Sequence, residues 1–170
     1  QYATSTRPDL CQPAAIVYAA NESDVKLAVK YAYDANLSIA VRSSGHHFGG
    51  FSSGRGESLQ LDVRALGNIS ELHPQDETVT FGTGCSLKEL DDKFASMGAF
   101  VPHGECYKVA VGGHVQTGGA PMFMRSFGYF CDYVTRFTIV PSPRHDDEDP
   151  STAVVTKPTP GDTTVENDEL

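Results

Sequence analysis

The sequence predicts a single α+β domain, and three observations support this prediction. Two units of a strand followed by a helix occur between residues 14 and 97. Glycine-rich segments follow strand ends, and residues 141–170 have a composition that cannot bury a core. At 170 residues, the chain is long enough for one domain with a core and too short for two of ordinary size.

The first unit combines a β-prone apolar run at residues 14–18 with a helix over residues 22–36. The predicted helix has an apolar face formed by Val25, Ala28, Val29 and Ala32. A second strand, 39–42, runs directly into the glycine-rich stretch 43–56, and a third strand follows at 59–63. The glycine-rich loop is therefore expected to extend from the end of a strand.

The second unit begins with two predicted strands, at residues 68–73 and 78–82. Ser86 and Glu89 form the sequence pattern of a capping box, which predicts the start of a helix. The apolar residues of this helix are Leu87, Leu90, Phe94 and Met97. The segment from 101 to 119 is glycine-rich, and a last strand is predicted at 134–140, where we expect the folded domain to end.

The net charge of −9 is unevenly distributed along the chain. Residues 141–170 contain eight acidic and two basic residues, five of the ten prolines and no aromatic residue. We therefore predict a folded domain over residues 1–140 and an acidic Pro/Thr-rich tail, disordered or loosely attached, over residues 141–170. The chain has no basic stripe and no apolar run near the roughly 20 residues that cross a bilayer, so neither nucleic acid nor membrane is an expected partner.

Three of the four asparagines, Asn21, Asn36 and Asn68, begin N-x-S/T sequons. The first residue is Gln1 rather than Met, so we expect that any targeting peptide has been removed. Together these features favour a secreted, extracellular glycoprotein. Asn21 and Asn36 also stand where a helix cap and a helix stop favour asparagine, which is an alternative reason for their presence.

Two segments combine glycine with histidine or cysteine. The first is Arg42-Ser43-Ser44-Gly45-His46-His47-Phe48, and the second runs from His103-Gly104-Glu105-Cys106 to Gly112-Gly113-His114 and Gly118-Gly119. Glycine lets the backbone approach a ligand closely, and exposed N–H groups in such loops suit pyrophosphate oxygens. Glycine-rich loops are more often plain connectors, and neither a G-x-G-x-x-G motif nor a P-loop is present.

In their order and flanking residues, the two segments resemble the PCMH-type FAD-binding domain of the vanillyl-alcohol-oxidase superfamily. The branch they resemble is that of berberine-bridge-enzyme-like proteins and oligosaccharide oxidases with two covalent flavin links, over roughly residues 7–140. The resemblance implies two small α/β subdomains, a bond from His46 to the flavin 8α carbon, and a bond from Cys106 to flavin C6. Imidazole and thiolate are nucleophiles suited to these additions, and His47 would be a neighbour of the linkage.

The resemblance also implies which residues surround FAD. These are Arg42, Ser43, Ser44, Gly45, His46, His47, Phe48, His103, Gly104, Cys106, Val109, Gly112, Gly113, His114, Gly118, Gly119 and Ile139. Val109 falls where relatives control the access of oxygen to the flavin, and simple packing is the alternative. Relatives usually have an aromatic or glycine pair where this chain has Ala120-Pro121-Met122-Phe123.

A metal site made of the histidines and Cys106 is a competing interpretation. The crowding of glycines suits a flat ligand with phosphates better, so we expect no metal. Cys11, Cys85 and Cys131 lie in no motif and are expected to be packed or, in a secreted protein, disulfide-bonded.

Relatives continue beyond the last predicted strand with a substrate domain that this sequence does not show. We therefore assign no catalytic base and predict the FAD-binding module of an oxidase. Completed by a substrate domain from this or a second chain, it would oxidise an organic alcohol or sugar-like small molecule with O2. Two alternatives are a naturally shortened flavin-binding protein or pseudoenzyme without turnover, and a secreted recognition domain without flavin.

Overall fold

The computed structural model of the protein describes residues 11–75, 77–143 and 153–156. Within these ranges the chain forms an α+β fold with two separate clusters of buried apolar side chains. The strands are β1 (Pro13–Tyr18), β2 (Ser38–Arg42), β3 (Gly56–Asp62), β4 (Arg136–Ile139) and β5 (Ala153–Thr156). The helices are α1 (Glu22–Asp34), α2 (Leu87–Ser96), α3 (Val111–Gln116) and α4 (Met124–Phe127), with 3₁₀ turns at Phe51–Ser53 and Phe130–Tyr133.

Strands β1, β3 and β2 form a parallel sheet in that order. Helix α1 covers one face of this sheet, where Ala28 and Ala32 pack against Leu59, Leu61 and Val63 of β3 and its end. The period of the sequence predicted this face, and the structure confirms it. Because parallel strands have their carboxyl ends at the same edge, the loop that follows β2 leaves the sheet where ligands of such sheets bind.

The ends of α1 are fixed by side-chain and backbone hydrogen bonds. Asn21 Oδ1 accepts the amide of Asp24 at 3.0 Å, and Asp24 Oδ2 accepts the amide of Ala20 at 2.8 Å. Asn36 adopts a φ of 51°, and the next amide, that of Leu37, bonds back into the helix. Both asparagines therefore have the capping roles that their positions predicted.

The second cluster of buried side chains lies under α2 and α3. Its members are Cys85, Leu87, Leu90, Val101, Val111, Val115 and Phe130. The predicted capping box is present, since the Ser86 amide donates to Glu89 Oε2 at 2.8 Å and the Glu89 amide donates to Ser86 Oγ at 3.3 Å. Helix α2 thus begins where the sequence predicted it.

The strands predicted at 68–73 and 78–82 are not formed as strands. Only isolated bridges occur there, between Ile69 and Phe81 and between His73 and Thr78. The hydroxyl of Ser70 accepts the amide of Thr80 at 3.0 Å, and a side chain that takes a backbone amide in this way competes with a regular ladder.

Three of the described helices and strands, α3, α4 and β5, lie where the sequence predicted none. Helix α3 occupies part of the glycine-rich segment 101–119, because Val111 and Val115 are buried four residues apart on one face. Strand β5 pairs antiparallel with β4, so the predicted tail contributes one strand to a sheet. Residues 144–152 and 157–170 lie outside the described residues, where the tail stays a prediction. No helix in the described ranges is both long enough and apolar enough to span a bilayer.

Candidate cofactor site

The first glycine-rich loop leaves β2 at Arg42, whose side chain is buried and donates from Nη1 to Ser53 Oγ at 2.9 Å. Gly45 follows with a φ of 78°, and a Cβ built at this position would lie 2.6 Å from Arg42 Cζ. Any other residue would therefore collide with the guanidinium as well as strain the backbone. The half-buried side chain of His46 comes directly after this turn.

His47 is engaged within its own loop. Its Nδ1 accepts the amide of Gly49 at 3.0 Å, and its ring lies edge-on to Phe51 at a centroid distance of 4.9 Å. Phe48, by contrast, is 85% exposed. These contacts give His47 a structural role in the loop.

The second loop presents Cys106 on an exposed turn. The amide of Val109 closes this turn by donating to the Cys106 carbonyl at 3.0 Å. The Val109 carbonyl accepts the amide of Leu87 at 2.9 Å, which ties the turn to the start of α2. The Val109 side chain packs against the second cluster of buried side chains, as the alternative of simple packing predicted. Its role in the access of oxygen to the flavin stays a prediction.

The two predicted segments meet in the structure. The amide of Ala110 donates to Ser44 Oγ at 2.8 Å, across 66 residues of sequence. A Cβ built on Gly112 would lie 2.8 Å from both Ser43 Oγ and the carbonyl oxygen of Thr83. The absence of a side chain at Gly112 thus allows the loop after β2 to lie directly against α3.

Two histidines of the second segment hold the backbone of Gly104 between them. The Gly104 amide donates to His114 Nε2 at 2.9 Å, and the Gly104 carbonyl lies 2.7 Å from His103 Nδ1. His103 Nε2 lies 2.7 Å from Asp91 Oδ1, on α2. Burial, and to a smaller extent the charge of His103, lower the pKa of His114, so its ring is neutral and can accept a hydrogen bond.

The remaining predicted site residues lie on two other parts of the fold, the loop after α3 and strand β4. Gly119 has a φ of 65°, and a Cβ there would lie 2.7 Å from Cβ of Phe130. Gly118 also has a positive φ and precedes it. Ile139 lies on β4 opposite Ala153 of β5.

Sequence reasoning missed Asp91 because the pattern of α2 marks it only as a polar helix residue. It also missed a pairing of Gly128 with Asp132. Gly128 has a φ of 76°, and a Cβ there would lie 2.6 Å from Asp132 Oδ2, which accepts the Tyr129 amide. A glycine four residues before an aspartate was the available signal.

The other three cysteines have no described role in the site. In the part of the chain that the structure describes, none of the four cysteines is in a disulfide. Cys85 is fully buried, and this burial raises the pKa of its thiol to about 11. Cys131 packs against the second cluster. Among the residues that the structure describes, no group of three or more His, Cys, Asp or Glu side chains could hold a metal ion.

The open face of α3 fits a flat cofactor. Gly113 lies within the helix, is exposed, and would meet no atom within 4 Å if it had a Cβ. Glycine in a helix interior costs about 1 kcal/mol relative to alanine, and no contact with the described residues requires glycine at this position. A ligand lying against α3 would supply the reason for glycine at this position.

Comparisons with known proteins agree with this site. A family model described as an FAD binding domain matches residues 13–143. FAD-linked oxidoreductase sorD of Penicillium rubens is 33% identical over 132 residues, which are 77% of this chain and 28% of that protein. Berberine bridge enzyme-like 2 of Arabidopsis thaliana is 34% identical over 134 residues, covering 76% of this chain and 24% of that protein.

A solved structure of glucooligosaccharide oxidase from Acremonium strictum superposes with a TM-score of 0.79 at 26% identity, covering 91% of this chain and 31% of that one. Its title describes a 6-S-cysteinyl, 8α-N1-histidyl FAD in that enzyme. The chain spans between 23% and 28% of the length of the first curated relatives it matches. These matches confirm the predicted α+β, PCMH-type FAD-binding fold.

Proposed function

Since the chain belongs to the FAD-binding domain family of oxidase-type flavoproteins related to berberine bridge enzymes and oligosaccharide oxidases, we propose that it holds FAD through two covalent bonds. One bond joins His46 to the flavin 8α carbon, and the other joins Cys106 to flavin C6. The observation that supports this proposal best is the hydrogen bond from the Ala110 amide to Ser44 Oγ. It joins the loop of one nucleophile to the loop of the other, as one cofactor bonded to both requires.

The likeness to the Acremonium strictum enzyme supports the same assignment, because the FAD of that enzyme is described as linked to one cysteine and one histidine. In this chain, Cys106 is exposed and the side chain of His46 is half-buried. Cys85 and Cys131 pack in or against the second cluster, and the ring of His47 bonds its own loop.

The residues of the site have distinct proposed roles. Gly112 and Gly113 leave the surface of α3 free of side chains so that the flat ring system can lie against it. The hydrogen bond from the Gly104 amide to His114 Nε2 would hold both groups in place beside the flavin ring. FAD supplies a two-electron acceptor, and the protein supplies its attachment and orientation. Formation of each bond would replace one flavin hydrogen by the nucleophile and release two protons and two electrons. Dioxygen would accept both electrons and both protons and become hydrogen peroxide.

Covalent attachment is tested by acid precipitation of the full chain after expression with FAD. A yellow pellet is expected, because a covalently bound flavin stays with the denatured protein. A colourless pellet would reject both the oxidase module and the flavin carrier without turnover, and would leave the recognition domain as the remaining function. Peptide mass spectrometry should then find the flavin mass on the peptides that contain His46 and Cys106.

Single variants distinguish two bonds from one. His46→Ala and Cys106→Ala should each keep covalent flavin through the remaining bond, and only the double variant should lose it. His47→Ala and Cys131→Ala are the matched controls and should keep both bonds. Loss of all covalent flavin in one single variant would contradict attachment at two points.

We propose that the complete oxidase acts on an organic alcohol or sugar-like small molecule and uses O2 as acceptor. Relatives named as oligosaccharide oxidases support this substrate class, and a substrate domain in the same or a second chain would provide the base. Reduction of the bound flavin by oligosaccharides under anaerobic conditions, with reoxidation by air, tests the proposal. Flavin that no alcohol or sugar reduces would favour the carrier without turnover.

We further propose that the protein is secreted and carries N-linked glycans. The side chains of Asn21, Asn36 and Asn68 are all exposed, and the capping contact of Asn21 uses Oδ1, which leaves its nitrogen available. Treatment of the secreted protein with a glycan-removing amidase should lower its mass and convert the modified asparagines to aspartate. An unmodified mass in a eukaryotic secretion host would overturn this proposal.

A further inference from the structure

Hydrogen bonds around Gly104 fix the orientation of both neighbouring histidine rings. A carbonyl oxygen only accepts, so His103 Nδ1, at 2.7 Å from the Gly104 carbonyl, donates to it. His103 Nε2 lies 2.7 Å from Asp91 Oδ1, so the carboxylate on α2 holds the other side of the same ring. His114 accepts the Gly104 amide at Nε2, and burial lowers the pKa of this ring.

This arrangement clamps the backbone of Gly104 from both sides. The His103 ring holds the Gly104 carbonyl, the His114 ring holds the Gly104 amide, and Phe130 packs beside both rings at centroid distances of 6.5 and 6.0 Å. A Cβ on Gly104 would lie 2.8 Å from His114 Cε1, so the backbone of Gly104 lies directly against that ring. The His103 side chain is 9% exposed and that of Asp91 is 40% exposed, so the ring is buried while the carboxylate remains partly open to water.

The clamp is one of three attachments of the Cys106 turn, and one of the other two is the hydrogen bond from the Lys88 amide of α2 to the Tyr107 carbonyl at 3.2 Å. Gly104 fixes the chain two residues before Cys106, and the hydrogen bond from the Leu87 amide to the Val109 carbonyl fixes it three residues after. All three attachments involve α2, because Asp91, Leu87 and Lys88 lie on the same helix. The exposed thiol is thus held on a short turn between anchored points.

We propose that Asp91 is a positioning residue for Cys106: acting through His103, it holds the turn in the conformation that brings the thiol to flavin C6. This inference rests on the proposed function, since it concerns the bond from Cys106 to flavin. Formation of that bond joins Sγ to C6, releases the thiol proton and the C6 hydrogen as protons, and transfers two electrons through the flavin to dioxygen. Displacement of a reacting group by about 1 Å can slow a reaction about a hundredfold.

Asp91→Ala removes the partner of His103 and should slow bond formation at Cys106 by about tenfold to a hundredfold. Asp91→Asn should restore it, because an asparagine amide can donate to Nε2 of a neutral His103 while Nδ1 still donates to Gly104. The control is Asp92→Ala, the adjacent residue on α2, whose carboxylate pairs with Lys88 and not with His103. It should leave the rate unchanged.

The measurement is a time course of FAD addition to the full-length apoprotein, followed by denaturation, alkylation and peptide mass spectrometry. Loss of alkylation at Cys106 reports its bond, and flavin on the His46 peptide reports the other bond as an internal control for folding. In Asp91→Ala, attachment at His46 should proceed normally while Cys106 stays open to alkylation. Equal loss at both residues, or an Asp91→Asn variant as slow as Asp91→Ala, would overturn the positioning role.

A second readout needs neither flavin nor a variant. Nitrogen NMR of the His103 ring in the wild-type apoprotein should show a protonated Nδ1, which donates to the Gly104 carbonyl, and the His114 ring should show an unprotonated Nε2. An unprotonated His103 Nδ1 would overturn the contact on which the inference depends. If the wild-type protein forms no bond at Cys106, the proposed function fails and this inference with it. If the wild-type protein forms the bond at Cys106 and the Asp91→Ala variant forms it at the same rate, only the positioning role of Asp91 fails.

Discussion

The two halves of the domain reach a buried core by different means. The sheet subdomain, residues 13–63, uses three parallel strands and one helix, with Ala32, Leu59 and Leu61 at its centre. The loop subdomain, residues 81–134, surrounds Phe130 with short helices, turns and glycine contacts. The sheet subdomain is stabilised by many similar contacts between aliphatic side chains. The loop subdomain depends on a few individual contacts, those of Phe130 and of the closely packed glycines.

This difference matters for the site, because each half provides one proposed attachment residue. His46 leaves the end of β2, whose position is fixed by a regular ladder. Cys106 lies on a turn fixed by individual hydrogen bonds from Gly104 and Val109. We therefore expect perturbation of the loop subdomain to affect the cysteine bond more than perturbation of the sheet subdomain affects the histidine bond.

The largest expected effect is that of truncating the central side chain of the loop subdomain. Phe130→Ala should lower the free energy of unfolding by about 3–5 kcal/mol, because it empties a site that is 1% exposed and removes the packing beside His103 and His114. Urea unfolding, monitored by circular dichroism, measures this change in the free energy of unfolding. The matched change in the sheet subdomain, Leu61→Ala, should cost about 2–5 kcal/mol.

The two core variants should differ in a second respect. At equal residual stability, Phe130→Ala should lose the bond at Cys106 while Leu61→Ala keeps it. Phe100→Ala is a surface control, because Phe100 is 61% exposed, and it should change stability little. If Leu61→Ala also lost the Cys106 bond, the two halves would not be as independent as their separate clusters suggest.

A smaller effect is expected at the contact between the halves. Gly112→Ala places a Cβ 2.8 Å from Ser43 Oγ and the Thr83 carbonyl, so it should cost about 1–3 kcal/mol and weaken FAD retention. Gly113→Ala is the adjacent control, since its Cβ meets no atom within 4 Å. It should raise the stability of the apoprotein by up to about 1 kcal/mol and still weaken FAD binding.

The pair of glycine variants separates folding from ligand binding. Thermal unfolding of the apoprotein should shift downward for Gly112→Ala and upward for Gly113→Ala. Titration with FAD should show weaker binding in both. Unchanged FAD binding in Gly113→Ala would contradict the placement of the cofactor against α3.

The smallest effect is expected at the start of α2. Ser86→Ala should cost about 1 kcal/mol by removing the cap. The hydroxyl and amide of Ser86 lower the pKa of Glu89, so the folded pKa lies below the unfolded one. The contribution of Glu89 is therefore present above the unfolded pKa of about 4.3 and is lost as the pH falls through the folded pKa.

Glu89→Gln tests this sign by denaturant unfolding at several pH values. The wild-type protein should be more stable than the variant at neutral pH, and the gap should close below about pH 4. Glu57→Gln is a surface control on β3, with no capping contact. A gap that widens on acidification would contradict the assigned role of the carboxylate.

The sequence by itself determined the sheet subdomain and the family. The period of α1 and the capping box at Ser86 are local patterns, and each was found where it was predicted. Strand β3 also lies where it was predicted, although it is buried on both faces rather than alternating. The glycine-rich motifs around His46 and Cys106 indicated the FAD-binding family that the comparisons confirm, and the roles of these two residues remain predictions.

Tertiary structure alone decided how those residues are held. Helix α3 formed within a glycine-rich segment because Val111 and Val115 bury together, and burial outweighs the poor helix propensity of Gly112 and Gly113. Asp91 contacts His103, which lies 12 positions later in the sequence, and His103 in turn contacts Gly104. A separation of 12 residues between a helix and a loop follows no local period. Such contacts depend on the packing of α2 against a loop, which no short stretch of sequence specifies.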